Sequence, residues 1–194
     1  MTNPLPTTPS PAAHPSLAVF PLDDFYAHAG LPMPHVEHVA GADVPEPYKS
    51  LLVHFHDMTP TLASHYQSSI YIDVLTSERR GDFYFREVVL RLDRNNQVVE
   101  FGANRVCLPR LPKEARDLIL EEHLPLGQIL HQCKVPHRSF PKCFIRVDAD
   151  ELIERAFGLN GRPTLYGRQA RILDPHGQPI SEIVEILPPL PAGK

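Results

Sequence analysis

Residues 83–92 (FYFREVVLRL), 93–96 (DRNN) and 97–108 (QVVEFGANRVCL) decide the fold class. Two runs rich in β-branched and aromatic residues flank a polar tetrad. They predict two antiparallel strands joined by a turn at Asp93-Arg94-Asn95-Asn96. The same grammar returns near the C-terminus, where residues 165–173 and 179–187 form a predicted hairpin across Asp174-Pro175-His176-Gly177. Residues 69–75 (SIYIDVL) supply a further strand, and residues 51–56 (LLVHFH) a short apolar run. Helices fall between these runs. Residues 59–67 have Thr59 as the expected N-cap and Pro60 at the first helical position. Residues 111–123 carry the apolar stripe Leu111, Ala115, Leu118 and Ile119, and residues 126–132 form a second short helix. Asp148-Ala149-Asp150-Glu151 resembles a capping box and opens a helix that ends at Gly158. Strands joined by hairpins and interspersed with helices imply an α+β fold with a single antiparallel sheet.

Composition narrows the function. The chain has 194 residues, 42% hydrophobic and 22% charged, which suits one globular domain. No apolar run reaches the roughly 20 residues of a membrane span, and no basic-then-apolar leader opens the chain. The net charge of −4 argues against a nucleic-acid module. The reading is therefore a cytoplasmic protein with no nucleic-acid partner and no membrane. The basic residues are skewed to Arg, the better fork for carboxylates. Cys107, Cys133 and Cys143 are an odd number without CxxC spacing, as for reduced thiols. His54 and His56 would share a strand face, but no cysteine or carboxylate pattern completes a metal site, so no metal is expected.

Ten of the 22 prolines lie before residue 48. Residues 1–47 are read as a proline-rich extension, the first 16 disordered, with Phe20, Leu22, Phe25 and Tyr26 able to pack on a domain that spans residues 48–190.

Some charges sit where alternation expects apolar side chains. Tyr84, Arg86, Val88, Leu90 and Leu92 share one strand face. A guanidinium among them is either tied in a structural salt bridge or free to meet a carboxylate ligand, and spacing alone leaves both open. On the last strand Glu182 and Glu185 point to opposite faces, and alternation slightly favours Glu182 as the inward one. Leu124-Pro125-Leu126-Gly127 suits either a plain helix connection or a flap, and Met58 either core or a ligand contact.

Taken in order, these segments resemble the chorismate pyruvate-lyase family. The matching residues are His56-Asp57-Met58-Thr59-Pro60-Thr61-Leu62, Phe85-Arg86-Glu87-Val88-Val89-Leu90, Leu108-Pro109, Leu124-Pro125-Leu126-Gly127-Gln128-Ile129-Leu130, Tyr166-Gly167-Arg168-Gln169-Ala170-Arg171, and Gly177-Gln178-Pro179-Ile180 leading to Glu185. They cover about residues 48–190. The resemblance implies a chorismate lyase-like fold of about six antiparallel strands, with helix-turn-helix flaps enclosing a cavity. It implies that Arg86 grips a ring carboxylate, Leu126 touches it from the flap, Met58 forms an apolar wall, and Glu185 hydrogen-bonds the ring hydroxyl. It also favours Glu185 over Glu182, because family members carry this Glu six residues after that Pro. Residues 131–165 are longer than in the ubiquinone-pathway enzymes.

The implied activity is a cofactor-free carbon–oxygen lyase that eliminates pyruvate from chorismate to give 4-hydroxybenzoate, with Arg86 and Glu185 catalytic. Chorismate carries two carboxylates, so Arg168 or Arg171 is the expected partner of the second. The same fold serves as the effector-binding UTRA domain of bacterial regulators, which gives the alternative: a non-catalytic sensor of an aromatic acid.

Overall fold

The computed structural model describes residues 19–191. In chain order its elements are α1 (Leu22–Ala29), β1 (Val36–Val39), α2 (Tyr48–Leu52), α3 (Met58–Tyr66), β2 (Ile70–Arg80), β3 (Phe83–Leu92), β4 (Val98–Cys107), α4 (Lys113–Leu120), α5 (Leu126–Gln132), β5 (Arg138–Asp148), α6 (Glu151–Phe157), β6 (Thr164–Leu173) and β7 (Pro179–Ile186). The strands form one sheet in the order β1-β5-β6-β7-β4-β3-β2. Every neighbouring pair is antiparallel. The α+β class and single antiparallel sheet read from the sequence are those of the structure.

The two predicted hairpins are its two halves. β3 turns into β4 through the expected tetrad, with Asn96 in the left-handed conformation and its N–H on the Leu92 carbonyl. β6 turns into β7 where the Asp174 carboxylate accepts from the amides of His176 and Gln178. The hairpins join edge to edge through β4 and β7.

Period-two alternation sorts the side chains to two covered faces. Val89 of β3, Phe101 and Ala103 of β4, and Val184 and Ile186 of β7 pack with Leu22 and Tyr26 of α1 and Ile153 of α6. On the other face, Val88, Leu90 and Leu92 meet α2 and α3 through Leu51, Leu52, Met58 and Leu62. Tyr84, Val106, Ile172 and Ile183 meet α4 and α5 through Ala115, Ile119, Ile129 and Leu130. Helices therefore cover both sides, and the central strands β3, β4 and β7 read as nearly continuous buried runs.

Several expectations change. There are seven strands, not about six. Residues 19–47, read as an extension, enter the fold: Val19, Leu22, Tyr26 and Val36 are buried, and β1 pairs with β5 at the sheet edge. The expected disorder of residues 1–16 lies outside the described residues. α3 begins at Met58 after Asp57, so Thr59 does not cap it. The α6 cap is Asp150, whose side chain accepts from the Ile153 amide, and Asp148 ends β5 instead. His54 and His56 follow α2 in an irregular segment, not a strand, with their rings stacked 5.4 Å apart.

Candidate functional site

Two apolar clusters cover the α2–α5 face of the sheet, and a partly enclosed cavity lies between them. Its volume is about 40 Å³, so a ring would enter only if its walls move apart. The strands make its floor with Arg86, Val88 and Leu90 of β3, Glu100 and Asn104 of β4, and Ile183 and Glu185 of β7. Met58 and Thr59 at the start of α3, and Leu126 and Gly127 at the start of α5, make its roof. The four residues picked out from the sequence, Met58, Arg86, Leu126 and Glu185, thus line one cavity. Glu182 is on the opposite face, where it takes ion pairs from Arg105 and Arg171.

The floor is polar at two places because of the register. Arg86 of β3 stands directly opposite Asn104 of β4. Gly102 faces Glu185 across β7 and Val88 across β3, so the strand carries no side chain in the middle of the floor. At the other end the ladder slips between Leu90 and Arg91, and Val99 and Glu100 are both buried under the helices. Such a bulge re-aims a side chain.

Arg86 is 0% exposed, and none of its three guanidinium nitrogens has a hydrogen-bond partner. Burial pulls its pKa down to about 10, while Tyr84 and Glu122 oppose the fall. It is therefore still a cation at neutral pH. An unpaired buried guanidinium costs several kcal/mol relative to water. Of the two readings that spacing left open, a structural salt bridge is excluded.

Arg168 is the opposite case. Its Nε donates to Glu185 Oε2 at 2.5 Å, directly across the β6–β7 ladder. Its Nη1 reaches the carbonyls of Leu52 and His54, and its Nη2 that of His56. The guanidinium is spent holding β7 to the segment after α2. Arg171 is spent on Glu182 on the other face. Neither arginine can meet a ligand carboxylate in this cavity, which corrects that expectation. Glu185 is likewise engaged as one half of a buried ion pair, with no free base at that position.

Glu100 and Asn104 carry chemistry that the sequence reading missed. Each is buried, lines the cavity and keeps an oxygen without a partner. Burial holds the Glu100 carboxyl well above the usual range, and the nearby Glu185 carboxylate adds to this. The visible signal was Val98, Glu100, Gly102 and Asn104 at alternate positions, which looks like an ordinary solvent face. At the mouth, Asp57 pairs with His137 at 2.9 Å, and the carboxylate raises the pKa of the ring. Beyond it a wider outer pocket is lined by His56, His131, Arg138 and Ser139. Among the described residues no cluster of His, Cys, Asp or Glu could hold a metal, and no helix is long and apolar enough to cross a membrane.

No family model matches the chain, and no curated protein matches it in sequence. Solved structures do match. PhnF from Mycobacterium smegmatis superposes with a TM-score of 0.54 at 12% identity, over 70% of this chain and 65% of that one. The chain thus spans just under two thirds of PhnF. The effector domain of PhnF gives 0.51 at 11% identity, over 68% of this chain and 87% of that one. A GntR-family transcriptional regulator from Bacillus cereus gives 0.46 at 9% identity, over 62% and 92%. The two PhnF structures share this chain's fold, and the Bacillus cereus structure is described as a GntR-family transcriptional regulator. The expectation of a chorismate pyruvate-lyase type carbon–oxygen lyase is corrected by them: the neighbours are regulator domains, not lyases.

Proposed function

We propose that this chain is a non-catalytic binding domain of the UTRA type, which senses an aromatic monocarboxylate. The observation that carries the reading is Arg86, a buried cation with no hydrogen-bond partner among the described residues, at the wall of a cavity that also presents a run of apolar side chains. In the cavity the Glu185–Arg168 pair is neutral, and Asp57 is matched by His137. With His137 protonated against Asp57 and Glu100 neutral, one positive charge is left over, and a monoanion is then the matching ligand. Val88, Leu90, Ile183, Met58 and Leu126 suit the flat apolar body of a ring. The carboxylate would take the planar fork of Arg86 in a bidentate pair, which is strong where water is excluded.

Calorimetric titration tests the reading. Benzoate and 4-hydroxybenzoate should bind, and a dicarboxylate of the same ring should bind far more weakly. Charge-assisted hydrogen bonds are worth roughly 1.5–3 kcal/mol, so Arg86→Ala should weaken binding by about ten- to a hundredfold. Arg86→Lys should not restore it, because an ammonium lacks the fork. Release of pyruvate from chorismate by the purified protein would overturn the non-catalytic reading. Equal binding by wild type and Arg86→Ala would overturn the site.

A further inference from the structure

The cavity over Arg86 has a volume of about 40 Å³, room for little more than water, whereas the outer pocket holds about 590 Å³, the size of a small-molecule site. The two have Asp57 and Ser139 as common walls. Asp57 precedes α3 with extended backbone and lies against α5, where a Cβ on Gly127 would come within 3.6 Å of its own Cβ. His137 stands between α5 and β5, outside every segment that carries the family resemblance. Its Nδ1 is 2.7 Å from the Val135 carbonyl and its Nε2 2.9 Å from Asp57 Oδ2. Both partners can only accept, so both ring nitrogens donate and the ring is an imidazolium. Each side chain of the pair is only 10% exposed. The pair thus ties the start of α3 to the segment that leads into β5, across the seam between cavity and outer pocket.

We infer that Asp57 and His137 form a clasp that shuts the cavity off from the outer pocket, and that its release admits the ligand to Arg86 from that side. The inference concerns the regulation of the aromatic-acid site and rests on that reading. A neutral ring has one N–H and cannot serve both acceptors, so losing the proton costs the clasp its ion pair or its tie to Val135. His131 of α5 meets the ring edge-on at 5.9 Å, and His56 and Arg138 line the same pocket. Positive charge on any of these opposes the imidazolium, and Asp57 outweighs them. The pKa of His137 is raised, first by its hydrogen bond to that carboxylate. The clasp is therefore fully made below the ordinary value of 6.5 and is lost as pH rises through the raised one.

The test compares wild type, His137→Gln and Asp57→Asn in two measurements. Amide hydrogen exchange of the ligand-free proteins at about pH 6 should be faster in both variants at residues 57–61 and 126–130, with α1 unchanged. The expected factor is about tenfold, the low end for one charge-assisted hydrogen bond. Binding kinetics with benzoate should show association and dissociation both about tenfold faster in the variants. Kd should hardly move, because the clasp is closed in free and bound protein alike. In wild type, association should quicken by a similar factor between about pH 6 and pH 9, a range in which benzoate keeps its charge. Both variants should lose that dependence. Glu87 also titrates at about 7, on the other face of the sheet, so the variants rather than pH alone assign the effect. Roof amides that exchange alike in all three proteins overturn the clasp, as does association that keeps its pH dependence in both variants. An equal loss of protection in α1 overturns it as well, since the pair would then serve stability alone. If neither benzoate nor 4-hydroxybenzoate binds wild type, the aromatic-acid reading falls, and the exchange result alone confirms or overturns the clasp.

Discussion

Arg86 sets up a conflict between stability and binding that can be measured. Its guanidinium is desolvated with nothing in return, and apolar replacements of buried charges often stabilise by 1–4 kcal/mol. Arg86→Met should therefore raise the melting temperature of the ligand-free protein while removing binding. A lower melting temperature would mean that the guanidinium has a structural partner. Glu185→Gln should act the other way, because it strands the buried Arg168 charge and breaking such a pair costs about 3–5 kcal/mol. A third prediction concerns pH. Glu87, on the α1–α6 face, has its pKa raised to about 7 by burial and then by Asp150. The folded protein thus holds a proton that the unfolded chain loses near 4.5. Stability from this group is complete below that value and declines as pH rises to about 7, by about 3 kcal/mol in total. Glu100 adds to the same slope. Glu87→Gln should flatten the decline measured by denaturant titration between pH 5 and 8, and an unchanged slope would contradict the assignment. At this scale the sequence was legible where a charge interrupted an apolar face, as at Arg86. It was illegible at Glu100, because a polar face gives no sign of whether water or helices cover it.

At the scale of the element, the hairpins were readable and β5 was not. β3, β4, β6 and β7 are long runs rich in β-branched and aromatic residues, joined in pairs by turn residues. β5 holds Pro141 and Lys142, and its ladder with β6 slips there. A proline at a bulge is compatible with a strand, but in sequence it looks like a break. The start of α3 was misplaced for a related reason. Thr59 has the right chemistry for a cap, but Asp57 has the extended backbone that precedes the helix, and its carboxylate is drawn off to His137. Close approach of β6 to β7 gives an element-scale prediction. A Cβ on Gly167 would collide with the backbone carbonyl of Glu185. Gly167→Ala must therefore push the two strands apart, and overpacking of this kind costs typically 1–3 kcal/mol. It should also loosen the Arg168–Glu185 pair one residue away. Gly127→Ala, whose Cβ would meet Thr59 Oγ1 at an ordinary 3.5 Å, should be well tolerated. Equal melting temperatures for the two variants would contradict the packing described.

For the whole molecule, the sheet is sealed on one side by α1 and α6, and on the other by two helix pairs that leave a cavity between them. The first side is dense and apolar and acts as a foundation. The second trades part of its packing for polar groups that only a ligand can satisfy. A ligand that binds the folded state alone stabilises it by about 2.7 kcal/mol at a hundred times its Kd. Saturating 4-hydroxybenzoate should accordingly raise the melting temperature of wild type and leave Arg86→Ala unmoved. The overall class followed from the hairpins, but the N-terminal contribution did not. Leu22 and Tyr26 were read as able to pack on the domain, but the prolines between residues 21 and 47 hid α1 and β1, which cover one face and one edge. The most direct measurement is a crystal structure of the protein grown with 4-hydroxybenzoate. The account predicts the carboxylate on the Arg86 guanidinium at about 2.7–2.9 Å, with the ring between Met58, Leu126 and Val88. A ligand bound elsewhere, with Arg86 still unpartnered, would contradict it.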